Sequence, residues 1–92
     1  MAKVHGWDNF LTLCRQAKTP SQLNELLELF LTVEERNAIG LRVQLISELM
    51  KGDKTQREIA ADLKISIAKI TRGSNALKIV SASLKKFLAK VL

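Results

Sequence analysis

Apolar positions along the chain recur at helical spacing in six separate runs, divided by polar stop-and-start signals. In "WDNFLTLCRQAK", Trp7, Phe10, Leu11 and Cys14 stand at i, i+3, i+4 and i+7, one face of an α-helix. "TPSQ" follows, with a capping threonine, a proline at the first helical position and Gln22 three residues after Thr19, ahead of "SQLNELLELFL". "TVEE" repeats the device with Thr32 and Glu35, opening a long run through about Met50 that stops at Gly52. Thr55 and Glu58 in "TQRE" form a third such box, before "TQREIAADL", and Ser66 caps "SIAKITRGSNALK". The last run, "SASLKKFLAKVL", sets Leu84, Phe87, Leu88 and Val91 on one stripe. Neither strand-type alternation nor an internal repeat occurs. The pattern predicts an all-α chain of six helices.

Two of the runs, "LLELFL" and "IGLRVQLISELM", are apolar around more than half of the helical circumference. Such helices need burial on most sides, and a 92-residue monomer has little interior to offer. The expectation is one helical domain, residues 1–92, that forms an intertwined homodimer with a shared core of about residues 4–51 plus 81–92. A monomer with a few exposed leucines is the alternative.

Charge sharpens the picture because it is unevenly distributed. Residues 1–50 carry five Lys/Arg and six acids, whereas residues 51–92 carry ten Lys/Arg against Asp53, Glu58 and Asp62. All of the net +6 therefore resides in the second half, which suits a polyanionic partner; a solvated lysine-rich face is the other reading. One cysteine, Cys14, excludes a disulfide within the chain and fits a reducing interior. Without an apolar run of about eighteen residues, and with a leading "MAKVHGWDNF" unlike a signal peptide, the expected location is the cytoplasm, with no membrane partner.

The basic half contains a helix-turn-helix pattern, about residues 55–79. Ile59, Leu63, Ile65, Ile67 and Ile70 supply apolar contacts between two short helices, and Ala60 is small where they cross. An α-helix fits the major groove, and the early turns of the second helix meet the base edges. That assigns Ile67, Ala68 and Lys69 to the bases, beside the capping Ser66. Gln56, Arg57, Thr71 and Lys78 are the candidates for phosphate contact. Helical hairpins that bind no DNA share the spacing. Within the second helix, "ITRGSNALK" holds Gly73 in mid-run, a position where glycine costs about 1 kcal/mol relative to alanine.

The run Leu31 to Lys78 resembles the tryptophan repressor family of bacteria. The matching pieces are "LT-x-x-ER", "G-x-RV", "G-x-x-x-QRE-[IL]", "IA-x-ITRGSN" and "LK", at matched spacing over about half the chain. The resemblance implies a homodimer that binds double-stranded operator DNA when L-tryptophan, its corepressor, sits between the long central helix and the recognition helix. On this resemblance Arg42 and Arg72 hold the indole between them, Gly73 leaves the space it occupies, and Thr32 and Ile46 border it. Carbonyls of Leu29 and Leu31 from the partner chain receive the ammonium. A guanidinium stacks on an aromatic face and its fork holds a carboxylate, so the assignment is chemically sound; surface arginine or phosphate contact is the plainer role for both.

Four positions depart from the family. Ala76 replaces a serine whose hydroxyl meets the ligand's amino group, a loss on the scale of one hydrogen bond, ~1 kcal/mol. Lys64 stands at a turn position that favours glycine and is expected at positive φ. Lys69 replaces a threonine, and Ala60 a lysine, which bear on the operator sequence.

Other classes are less well served. A related dimeric regulator that is tryptophan-independent or uses another effector keeps the hairpin but forgoes the pocket. A helical protein-interaction module explains the leucines but not the clustered charge. An enzyme lacks its parts: His5 has no second histidine for a metal pair, Cys14 lies on an apolar stripe, and Trp7, Phe10, Phe30 and Phe87 fit a core. No metal is expected. The Lys85–Lys86 pair reads as a solvated face.

Overall fold

The computed structural model describes residues 5–92, so the first position of the expected dimer core, residue 4, lies outside the described residues. Six α-helices follow one another: α1 (Gly6–Gln16), α2 (Pro20–Phe30), α3 (Val33–Lys51), α4 (Gln56–Leu63), α5 (Ile67–Ile79) and α6 (Ala82–Val91). Among the described residues there is no strand, and the all-α expectation holds.

The starts are where the capping residues put them. Thr19 Oγ1 accepts from the Gln22 N–H at 3.0 Å with Pro20 at the first helical position. Gln22 reaches one residue further back than a capping box requires, accepting from the Lys18 N–H at 2.8 Å. Thr32 and Glu35 form a reciprocal box, with bonds of 2.9 and 3.1 Å. Thr55 and Glu58 do the same at 3.1 Å in both directions. Ser66 and Ser81 cap α5 and α6. Each such cap contributes about 1 kcal/mol. At the far end of α3, Gly52 takes φ +70°, the left-handed conformation that stops a helix and that glycine adopts without strain.

The chain divides into two compact units, Met1–Asn37 and Ala38–Leu92. In the first, α1 packs on α2, and Phe10 joins Trp7 in a stack (centroids 5.5 Å) and Phe30 edge-on (5.8 Å). No residue of either helix is buried, and Trp7 is 71% exposed. In the second unit α4 packs on α5. Its core is Leu45, Ile59 and Ile70, the three buried apolar residues of the described chain, with Leu49, Ala60, Leu63 and Ile65 against them. Leu29, Phe30, Val33, Val43, Phe87 and Val91 remain exposed.

Candidate functional site

Across α4 and α5 the turn is built by its caps. The Lys64 N–H donates to the Ala60 carbonyl, and the Ile65 N–H reaches the same carbonyl at 3.1 Å. This closure needs Lys64 in the left-handed region, φ 55° and ψ 47°, as its place in the turn predicted. Lysine is strained there by roughly 1–2 kcal/mol, while glycine is not but carries its own entropic cost. Lys64→Gly is therefore expected to stabilise the chain by about 0.5–1 kcal/mol, read as a higher urea midpoint with an unchanged slope.

Beyond the turn, Ile59 and Ile70 are sealed at 1% and 0% exposure, locking α4 to α5. Away from that seal, Gln56, Arg57, Ser66, Ala68, Lys69, Thr71 and Lys78 are exposed. Ile67, expected among the interhelical contacts as well as at the bases, is 46% exposed and is not one of the residues packed on the core. It is the first residue of α5, one turn before Ile70, and at this helix start its side chain stays half exposed.

The electrostatics of this unit are one-sided. Lys54 Nζ bridges Asp62 (2.8 Å) and Glu48 (3.3 Å), and Lys51 also meets Glu48 (3.4 Å). Lys54, aided by Lys51, holds the Glu48 carboxyl below the ordinary carboxylate range; Asp62, then Glu48, raises the Lys54 ammonium above that of a free lysine. These contacts join the end of α3 to α4 and engage two of the acids near the hairpin. After Asp62 the sequence has no further acid, so Lys64, Lys69, Arg72, Lys78, Lys85, Lys86 and Lys90 follow without a neighbouring counter-charge in sequence. None of them joins an ion pair among the described residues.

Between α3 and α5 lies a cavity of about 420 Å³, within the range of small-molecule sites. Its α3 wall is Ala38, Leu41, Arg42, Leu45 and Ile46; its α5 wall is Lys69, Arg72, Gly73 and Ala76, with Ile65 at one end. The α5 residues stand at i, i+3, i+4 and i+7, so one face of α5 forms the wall. Arg42, Arg72, Gly73, Ile46 and Ala76, the ligand candidates of the second unit, share this lining. Leu29, Leu31 and Thr32 belong to the first unit. There the Thr32 hydroxyl accepts from the Glu35 N–H, and the reciprocal bond from Thr32 holds the Glu35 carboxyl below its usual range.

Two features of the lining differ from the sequence expectation. Lys69, assigned to the bases, also borders the cavity because it lies one turn before Arg72 on the same face. Gly73 does border the cavity, but its missing side chain is claimed first by Leu45: a Cβ would stand 2.8 Å from Leu45 Cδ2 and 3.4 Å from Cγ. The glycine lets α5 approach α3 closely. Leu41, Leu45 and Ala38 join the lining without a sequence assignment, although their spacing with Arg42 and Ile46 marks one face of α3.

The wall is therefore largely apolar, with three cations and no acid, and it suits an apolar body bearing an anionic group. Among the described residues no group of His, Cys, Asp and Glu could hold a metal ion, and no helix is long and apolar enough to cross a membrane.

Comparison with known proteins places the chain among relatives over most of its length. The family model described as "Trp repressor protein" matches residues 5–92. The Trp operon repressor homolog of Chlamydia trachomatis serovar D is 47% identical over 85 residues, covering 92% of this chain and 90% of that protein. The homolog of Chlamydia caviae is 45% identical over 84 residues, covering 91% and 83%. That of Photobacterium profundum is 42% identical over 86 residues, covering 94% and 84%.

Proposed function

The chain belongs to the Trp repressor family of DNA-binding regulators, which are not enzymes, and from that premise we propose that it is a tryptophan-dependent repressor. On this reading it acts in the cytoplasm as a homodimer on a palindromic operator, controlling genes of tryptophan biosynthesis or uptake. The observation that carries the reading is the shared wall. The helix that offers Ile67, Ala68 and Lys69 to the bases also lines, through Arg72 and Gly73, a cavity of small-molecule size.

Dimerisation answers the burial problem. No residue of α1 or α2 is buried among the described residues, and α6 leaves Phe87 and Val91 exposed. A second copy that interleaves its own α1, α2 and α6 covers these faces, consistent with a shared core of residues 4–51 and 81–92. It also allows Leu29 and Leu31 of the partner subunit to offer carbonyls to a ligand ammonium.

Each residue then has a physical task. Arg42 and Arg72 hold a planar ring between guanidinium groups and bind a carboxylate through their forks. Ile46, Leu41 and Leu45 keep the ring's surroundings dry, and Thr32 borders the ligand. L-tryptophan supplies the rigid filler that sets the distance between α3 and α5. Gln56, Arg57, Thr71 and Lys78 hold phosphates while two copies of α5 enter successive major grooves about 34 Å apart. Linkage requires that DNA tighten tryptophan by the same factor that tryptophan tightens DNA.

Ala76 in the cavity wall favours a second reading, a regulator of the same fold with another effector or none. Titration of duplex operator DNA with and without tryptophan separates the two: tryptophan must strengthen binding, and an unchanged affinity refutes its role. In the same assay Lys78→Ala is expected to weaken all sequences alike. It reduces the steepness of log K against log salt by about 0.9 for each phosphate that is no longer neutralised; an unaltered slope removes Lys78 from the phosphate-binding set.

A further inference from the structure

We propose that Lys69 is a specificity-determining residue of the cavity, where it binds the carboxylate of the ligand together with Arg42 and Arg72. The proposal deepens the tryptophan reading and rests on it. Three observations point the same way. Lys69 lines the cavity with both arginines, and the lining includes no acid to neutralise it. It forms no ion pair among the described residues, whereas Lys51 and Lys54 of the same unit are paired.

The third observation is its place on α5. Ser66 accepts from the Lys69 N–H at 3.2 Å, so the lysine is in the first turn, where the helix dipole is positive. Helices disfavour a cation there. A bound anion reverses the sign, because it is then attracted by the ammonium and by the dipole together. Arg72 lies one turn later on the same face, and Arg42 faces both from α3.

The three cations divide the work by shape. The planar guanidinium groups cover ring faces, which commits their orientation. A lysine is a compact charge on a flexible stem, able to rest its methylenes on the apolar wall while the ammonium meets an oxygen. Ala76 offers the ligand's amino end no polar group. The side chains of this wall therefore recognise the acid end of the ligand.

Calorimetry on the full dimeric chain without DNA tests this, since any role of Lys69 at the bases is then silent. The ligands are L-tryptophan and tryptamine, which lacks the carboxylate. Lys69→Gln is expected to weaken L-tryptophan about tenfold, the scale of one charged hydrogen bond, and Lys69→Arg to restore most of it. Tryptamine is expected to bind the parent and Lys69→Gln equally. Unchanged L-tryptophan affinity in Lys69→Gln, or equal losses for both ligands, overturns the proposal. If tryptamine is too weak to titrate in either protein, failure of Lys69→Arg to restore binding overturns it. A parent chain that takes up no L-tryptophan defeats the tryptophan reading itself, whereas a loss confined to the Lys69 assignment leaves that reading standing.

Discussion

Replacing Arg72 with alanine is expected to abolish most tryptophan-dependent operator binding while sparing the weak attraction to arbitrary DNA. Arg72 lines the cavity wall formed by the recognition helix itself. Its removal deletes a ring contact and a charged hydrogen bond together. Hydrogen bonds to charged groups contribute about 1.5–3 kcal/mol, so tryptophan is expected to bind roughly tenfold to a hundredfold more weakly. Non-specific DNA binding depends on the number of phosphates neutralised and should change by no more than one such interaction. Calorimetry for the ligand and salt-dependent titration for DNA read the two effects separately. Unchanged tryptophan affinity, with DNA binding reduced for every sequence, would reassign Arg72 to the phosphates.

That contrast matters because, on the proposed function, one helix carries both tasks. Residues 69, 72, 73 and 76 form a face toward α3, while Ile67, Ala68 and Thr71 lie off that face. A helix is stiff over this length, so a change on the cavity side becomes a change in the position of the exposed side. On the proposed function, ligand control needs no relay: the cavity wall and the proposed DNA reader are two sides of thirteen residues. The buried pair Ile59 and Ile70 carries α4 along, since it joins α4 to α5 with almost no exposed surface.

Much of this arrangement is legible in the residues. The capping signals locate four of the helix starts, because a side chain satisfying a backbone N–H three residues away acts locally. Gly52 and Lys64 are legible for the same reason: a helix that ends in a left-handed cap requires positive φ from whichever residue stands there. The candidate ligand residues Arg42 and Arg72 are reached through family resemblance, and their helical spacing alone leaves surface arginine open. Lys69 and Gly73 show the limit. Both positions depend on which face of α5 meets α3, a tertiary fact that spacing within α5 does not contain. Lys69 can be seen to suit DNA, but its place beside Arg42 requires the α3–α5 contact. Gly73 can be seen to make room, but whether for a ligand or for Leu45 depends on the depth of packing.

Truncating Leu45 to alanine is expected to be strongly destabilising, and it tests what Gly73 is for. Leu45 is 5% exposed, belongs to the buried core and lines the cavity. Leucine-to-alanine changes in cores cost about 2–5 kcal/mol, the lower part of which applies where an adjoining cavity allows relaxation. Gly73→Ala alone combines opposing terms. Helix propensity favours alanine by about 1 kcal/mol, but the new Cβ would meet Leu45 Cδ2 at 2.8 Å, and overpacking costs about 1–3 kcal/mol. In the Leu45→Ala background the obstructing methyl is gone, so Gly73→Ala should gain close to the full propensity term. Urea unfolding at one fixed protein concentration, with ligand absent, gives the four stabilities of the cycle. The two changes should couple favourably by at least about 0.5 kcal/mol, as expected of residues that touch. Simple additivity would mean that Leu45 yields freely to a side chain at position 73, and that the glycine serves the cavity alone.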